Sequence, residues 1–342
     1  MEAMSNPGTA RPSRPTVVLA LVPETRAMVL ADDAVARIAE VADVVDTDGA
    51  AWEDVELPAG ASALVTGWGT PRVTPEVLDR LPALEIVTHT GGSVRELLDP
   101  QVWERGVRVT TAAETNNQFV AEYTAAQVLL ALKGVHRVVA PGRTHRALPR
   151  PVPVPGSRRQ RVGLVSYGSI ARRVREQLRR IDADVWVWDP YVSDADLTAD
   201  DVHPSPDLES LFENCLVVSL HTPLIPGVTE GLVGHEQLSR LGVGATFINT
   251  SRGAIVDEPA LVDVLRERPD LSAVLDVTWP EPPEPTSPLW ELPNVQLTGH
   301  VAGALGTEAL ALGDSAVAEL RRHLAGESLE YEVTAEVAAR RA

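Results

Sequence analysis

The sequence predicts an α/β chain of two domains, each built on a parallel sheet. Three observations predict it. Apolar runs of strand length alternate with helically periodic segments along most of the chain, as parallel strands with helical crossovers require. The alternation comes in two series, one over residues 16–110 and one from Arg161 onward, and 342 residues suit two domains. The second series opens on strand, tight turn, helix, strand and acid, in Arg161-Val-Gly-Leu-Val-Ser-Tyr-Gly-Ser-Ile-Ala-Arg-Arg-Val174 and Val185-Trp-Val-Trp-Asp-Pro190.

Residues 1–15 are polar, rich in Pro, Ser and Arg, and lack the apolar stretch of a secretory signal, so they read as a disordered lead-in. A first strand follows at 16–22. Residues 24–45 carry helical periodicity through Met28, Val29, Val35, Ile38 and Val41. Strands are expected at 63–66, 84–87 and 107–110, with short helices at 75–81 and 99–104. Residues 117–139 form a helix apolar almost all round, which predicts burial on more than one side, between domains or in a subunit interface. Residues 141–161 differ in texture. Pro149, Pro151, Pro153 and Pro155 alternate among arginines, which predicts a stiff, extended connector. Its arginines read as a solvated basic linker or as an anion-binding lid. In the second series, strands are expected at 162–165, 185–188, 216–220, 245–249, 273–275 and 295–297. Helices are expected at 207–214, 235–241, 258–267 and 307–324. The segment after Gly326 is acidic and poor in apolar residues.

Composition narrows the function. Hydrophobic residues make up 44% of the chain, enough for sizeable cores, and 48 acids against 30 bases give a net charge of −18. That balance argues against nucleic acid and against an anionic membrane surface. The one cysteine, Cys215, lies in an apolar run and reads as a core residue, with no disulfide possible within the chain. A reducing, cytoplasmic setting is expected. No segment approaches the length of a membrane span, and no metal site is expected.

The turn after the strand at 162–165 has the order of a dinucleotide site. Backbone N–H groups at a helix N-terminus hold a pyrophosphate, and an acid about 20 residues further on takes the ribose hydroxyls. Gly168 lets the backbone approach the phosphates, Ala171 is a tolerated third position, and Ser166 stands where a first glycine is usual. Asp189 favours NAD over NADP, since a carboxylate would repel a 2′-phosphate. The competing readings are a plain strand-to-helix turn and an ordinary turn acid before Pro190.

Three further residues sit at expected strand ends, where open α/β sheets bind ligands. Arg252 follows Phe247-Ile-Asn-Thr250, Glu281 lies in Asp276-Val-Thr-Trp-Pro-Glu-Pro282, and His300 ends Val295-Gln-Leu-Thr-Gly-His300. A guanidinium can hold a carboxylate through two parallel hydrogen bonds. A histidine can give a proton to a carbonyl oxygen as hydride reaches its carbon. A glutamate beside a histidine favours the protonated ring and fixes its tautomer. Taken singly, the three could be a loop salt bridge, a solvated loop residue and a strand-end histidine.

The blocks Asn249-Thr-Ser-Arg-Gly-Ala-Ile-Val-Asp257, Asp276-Val-Thr-Trp-Pro-Glu-Pro282 and Leu297-Thr-Gly-His-Val-Ala-Gly303 resemble the signatures of the D-isomer-specific 2-hydroxyacid dehydrogenases. Val217-Val-Ser-Leu-His-Thr-Pro223 and Val120-Ala-Glu-Tyr-Thr124 resemble two more of them. The likeness runs from about Leu64 to Leu324. It implies two Rossmann- or flavodoxin-like domains. Residues 16–115 with 303–342 would form a discontinuous substrate domain, and 116–302 the NAD-binding domain. The active site would lie in the cleft between the two domains, closed by a hinge. Arg252, Glu281 and His300 would be the catalytic trio. NAD would contact Tyr167, Gly168, Ser169, Ile170, Asp189, His221, Thr222, Pro223, Thr250, Ser251, Asp276 and Thr124. A 2-keto acid, or its D-2-hydroxy acid, would place its carboxylate on Arg252 and on backbone amides around Gly91, Gly92, Ser93 and Val94. The expected assembly is a homodimer.

The chain departs from the family pattern at three places. Gly299 replaces the usual Pro before His300. Gly91-Gly-Ser-Val-Arg95 replaces a G-x-G-x-D loop, and Arg95 there could take a second anionic group or pair with a neighbour such as Asp99. The connector is short and lacks a Trp-containing run. Two other readings remain: a non-catalytic, NAD-sensing scaffold like the co-repressors that resemble these enzymes, and a formate dehydrogenase-like enzyme.

Overall fold

The computed structural model describes residues 14–147 and 156–340, so the expected lead-in up to residue 13 and the proline-rich part of the connector lie outside the described residues. The chain forms two compact units. One runs to Ala112 and resumes over Ala309–Ala338; the other is Ala113–Glu308 with the chain's end from Ala339.

The first unit follows the order β1 (Thr16–Ala20), α1 (Pro23–Val29), α2 (Ala34–Ala39), β2 (Asp43–Asp46), β3 (Ala61–Thr66), α3 (Pro75–Arg80), β4 (Ile86–His89), α4 (Gln101–Glu104) and β5 (Arg108–Thr111). Its strands pair in parallel in the order β2-β1-β3-β4-β5. Both faces are covered, and β1 shows how. Val17 and Leu19 enter one apolar cluster, Val18 and Ala20 the other, as the two-residue strand period dictates.

The second unit continues with α5 (Ala113–Leu132), α6 (Val135–His145), β6 (Arg161–Val165), α7 (Ser169–Arg179), β7 (Asp184–Trp188), α8 (Asp194–Ala199), β8 (His203–Pro204), α9 (Leu208–Asn214) and β9 (Val217–Leu220). Then come α10 (His235–Ser239), β10 (Thr246–Asn249), α11 (Glu258–Glu267), β11 (Ser272–Leu275) and β12 (Val295–Leu297). Its seven parallel strands lie in the order β12-β11-β10-β9-β6-β7-β8. The order reverses between β6 and β9, the switch point where doubly wound sheets bind ligands. α12 (Thr307–Leu324) returns to the first unit and sets Ala309, Val317 and Leu320 against its core. A Cβ on its Gly313 would lie 1.8 Å from the Val29 carbonyl oxygen, so glycine is what lets α12 come this close. α13 (Ala335–Arg340) ends the described chain.

Two expectations are corrected. The periodic stretch 24–45 is two short helices and a strand, because Val44 and Val45 are claimed by pairing with β1 rather than by a helix. The expected helix over 117–139 begins at Ala113 and breaks at Gly134, which takes φ +69°; a second helix then runs on through Pro141 to His145. Of α5, Val120, Ala121, Val128 and Leu132 are buried, while Leu129 and Leu130 are exposed. The segment after Gly326, acidic as it is, packs onto the five-stranded unit. Val333 and Ala338 are buried, and the carboxylate of buried Glu319 accepts from the N–H groups of Glu330 and Tyr331 at 2.9 Å. Among the described residues no helix is long and apolar enough to cross a membrane, no group of residues could hold a metal ion, and Cys215 is free and buried.

Candidate active site

The expected cofactor residues Gly168, Asp189 and Thr222 lie around the switch point of the seven-stranded sheet. Ser166, directly after β6, takes φ +70°, the left-handed conformation that glycine adopts freely and other residues at a cost of about 1–2 kcal/mol. Its hydroxyl meets the Thr222 hydroxyl, just beyond β9, at 2.8 Å, and a neutral hydrogen bond of about 1 kcal/mol offsets much of that cost. Gly168 then stands at the N-terminus of α7, with no side-chain cap on the helix. A Cβ there would meet nothing within 4 Å, so the end of the helix is open. Asp189, beyond β7, accepts from the N–H groups of Tyr167 and Tyr191, each at 2.7 Å, and each carboxylate oxygen keeps a further lone pair. An uncapped helix N-terminus beside an open glycine suits a pyrophosphate, and a carboxylate at the next strand end suits ribose hydroxyls. These residues fit NAD.

Other members of the expected set are engaged within the protein. The Tyr167 side chain is buried in the core and the partly buried Ile170 packs against that core. The Ser169 hydroxyl donates to Glu114 at 2.5 Å. Thr124 and Thr250 share a buried hydroxyl contact of 3.0 Å, and Ser251 donates to the Leu220 carbonyl at 2.8 Å. Thr229 donates to the carbonyl of exposed Pro223 at 2.7 Å. Burial pushes the pKa of His221 down to about 4, and its Nε2 has no partner among the described residues.

The candidate catalytic residues lie on loops after β10, β11 and β12. Gly253 joins two of these loops: a Cβ there would lie 2.0 Å from the Thr278 backbone, so only glycine lets the Arg252 loop rest on the segment leading to Glu281. The Arg252 guanidinium donates to the Ser251 carbonyl at 2.7 Å. Burial lowers its pKa, and the charge of Glu281 acts in the opposite sense. His300 Nδ1 lies 2.8 Å from Glu281 Oε1, with both side chains partly open to solvent. His300 also takes φ +56°.

Asp276, also among the expected cofactor contacts, is engaged within the protein. Its carboxylate is buried and accepts from Thr298 Oγ1 at 2.6 Å and from the N–H groups of Val301 and Ala302, each at 2.8 Å. It holds the loop that carries His300.

In the first unit, Gly91–Arg95 follows β4. Val94 is a core residue. Gly91 sits on buried His89: a Cβ on it would lie 2.6 Å from His89 Nε2. Burial pushes the pKa of His89 down to about 4, and its Nδ1 lies 3.0 Å from Thr66 Oγ1. Arg95 is exposed, and Asp99, considered above as its partner, pairs with Arg72 at 3.6 Å. Sequence reasoning missed His89, Thr298, Gly253 and Tyr123, whose hydroxyl lies 3.1 Å from Thr298 Oγ1. Only Gly253 carried a local signal, as a glycine directly after the candidate arginine.

Residues 125–302 match the family model for the D-isomer specific 2-hydroxyacid dehydrogenase NAD binding domain. The chain is 27% identical over 305 residues to a D-3-phosphoglycerate dehydrogenase of Methanocaldococcus jannaschii, covering 88% of this chain and 57% of that protein. It therefore spans little more than half the length of that relative. It is 34% identical over 251 residues to an (S)-sulfolactate dehydrogenase of Chromohalobacter salexigens, covering 72% of this chain and 79% of that one. Among solved structures, the TT0316 protein of Thermus thermophilus is 29% identical with a TM-score of 0.72, covering 93% of this chain and 100% of its own. A phosphoglycerate oxidoreductase from Rhizobium etli shares the fold, with a TM-score of 0.80 at 20% identity over 94% of this chain and 99% of its own.

Proposed function

The chain belongs to the D-isomer-specific 2-hydroxyacid dehydrogenases, a family of NAD-binding oxidoreductases, and from that premise we propose that it interconverts a 2-keto acid and its D-2-hydroxy acid with His300 as acid and base. When bound, the nicotinamide supplies or accepts the hydride. The rest falls to the chain's own residues. Arg252 holds the substrate carboxylate through its fork of N–H donors. In reduction His300 gives a proton to the carbonyl oxygen as the hydride arrives at carbon; in oxidation it takes the hydroxyl proton back. Glu281 keeps Nδ1 engaged, so that Nε2 is the nitrogen turned to substrate.

The observation that carries this reading is the 2.8 Å contact between His300 and Glu281, on a loop next to the one bearing Arg252. A histidine held by a carboxylate suits proton transfer, which hydride abstraction from formate does not need. The unit from Ala113 would be the NAD domain and the five-stranded unit the substrate domain. The named relatives act on phosphoglycerate and on sulfolactate, both of which carry a second anion, and Arg95 is our candidate to receive one. We take the assembly to be a homodimer, with exposed Leu129 and Leu130 of α5 at its interface.

The test follows oxidation of NADH over a panel of 2-keto acids: plain, phosphorylated, sulfonated, phosphonate and aromatic. Turnover of at least one, lost in His300→Ala, is expected. NADH binding without turnover of any panel member would overturn the proposal in favour of a sensor.

A further inference from the structure

We propose that Tyr123, acting through Thr298 and Asp276, is a positioning residue that holds His300 in its left-handed backbone conformation; the inference rests on the reading of His300 as the acid and base. A histidine at φ +56° stays there only if its surroundings over-determine it. The residue before it gives no help. Gly299 is exposed, and its N–H donates no hydrogen bond among the described residues. The constraint comes from Asp276. Its carbonyl accepts from His300 N–H at 2.9 Å, and its carboxylate takes Thr298 Oγ1 and the amides of Val301 and Ala302. One aspartate thus binds four of the five residues from 298 to 302.

The chain of hydrogen bonds then reaches a helix. Thr298 has one hydroxyl proton and gives it to Asp276, so its contact with Tyr123 has Tyr123 as donor. Tyr123 stands on α5, and the next residue, Thr124, meets Thr250 two positions before Arg252. A single turn of α5 is therefore tied to the His300 loop and to the Arg252 loop, and it sets their register to each other. The chain is not a proton relay. It ends on backbone amides, whereas His300 Nδ1 faces Glu281.

The test is Tyr123→Phe, which removes only the hydroxyl. Amide hydrogen exchange at Val301 and Ala302 should quicken, and kcat should fall, each by about five-fold, as loss of one neutral hydrogen bond implies. NADH affinity, read by fluorescence titration, should stay unchanged. Adding Gly299→Pro should restore both, because the ring replaces the missing restraint. A Cβ there meets nothing within 4 Å, and the φ of Gly299 lies outside the left-handed region. Unaltered exchange at Val301 and Ala302 in Tyr123→Phe overturns the inference, as does a fall in kcat that Gly299→Pro leaves in place. The exchange measurement needs no turnover. If His300→Ala keeps full activity, the acid–base reading fails while the hold of Tyr123 on the loop is still measured.

Discussion

Among the described residues, two non-glycine residues just beyond the carboxyl ends of strands in the seven-stranded sheet take positive φ, and they are held in different ways. Ser166, after β6, compensates for its own strain: its hydroxyl reaches Thr222 beyond the neighbouring strand. His300, after β12, does not. Its ring faces Glu281, and the hydrogen bonds that fix its backbone come from Asp276. A side chain that holds its own backbone is spent in doing so. Under the proposed mechanism the His300 ring must stay available to substrate, so the holding passes to a neighbour.

The largest expected effect breaks the comparison on the His300 side. His300→Ala and His300→Gly should both lower kcat by at least about 100-fold with NADH affinity kept, as loss of a general acid implies. Their stabilities should part. Glycine relieves the left-handed strain and alanine retains it, so the glycine variant should be more stable by about 1 kcal/mol in urea unfolding. Equal stabilities would mean that the backbone at His300 is not under strain.

The five-stranded sheet supplies a contrast, a strand-end histidine confined by burial instead. His89 is buried and its ring is neutral, with a folded pKa of about 4 against the ordinary 6.5. Between those values the unfolded chain binds more protons than the folded one, so stability is full above about pH 6.5 and falls as pH drops toward 4. The loss approaches about 3 kcal/mol for a fully buried group. His89→Gln should flatten the dependence of the urea midpoint on pH across that window. An unchanged slope would show that His89 does not charge on unfolding.

Much of this was legible in the sequence where the signal is local. α11 and α12 begin and end where periodicity places them, and α11 has its cap in Asp257, which accepts from Ala260 N–H at 3.2 Å. Arg252, Glu281 and His300 were legible because each follows a strand within a few residues. Long-range pairing was not. Val44 and Val45 fit a helix by period, and only β1 makes them a strand. Tyr123 reaches Thr298 across 175 positions, a distance over which hydrophobic periodicity carries no information. The residues of the candidate chemistry were therefore readable from the chain, and the residues that hold them in place were not.

The smallest effect falls on Ser166 and sharpens the comparison most. Ser166→Gly removes the strain together with the bond to Thr222, two terms of about 1 kcal/mol and opposite sign, so stability should barely move. Ser166→Ala removes the bond and keeps the strain, and should cost about 1–2 kcal/mol in urea unfolding. If neither variant loses stability, the hydroxyl contact is incidental and Ser166 is held by the fold around it. If only alanine does, the serine itself compensates for the left-handed turn where a glycine would need no compensation, and the missing first glycine of the dinucleotide turn is explained by a single hydroxyl.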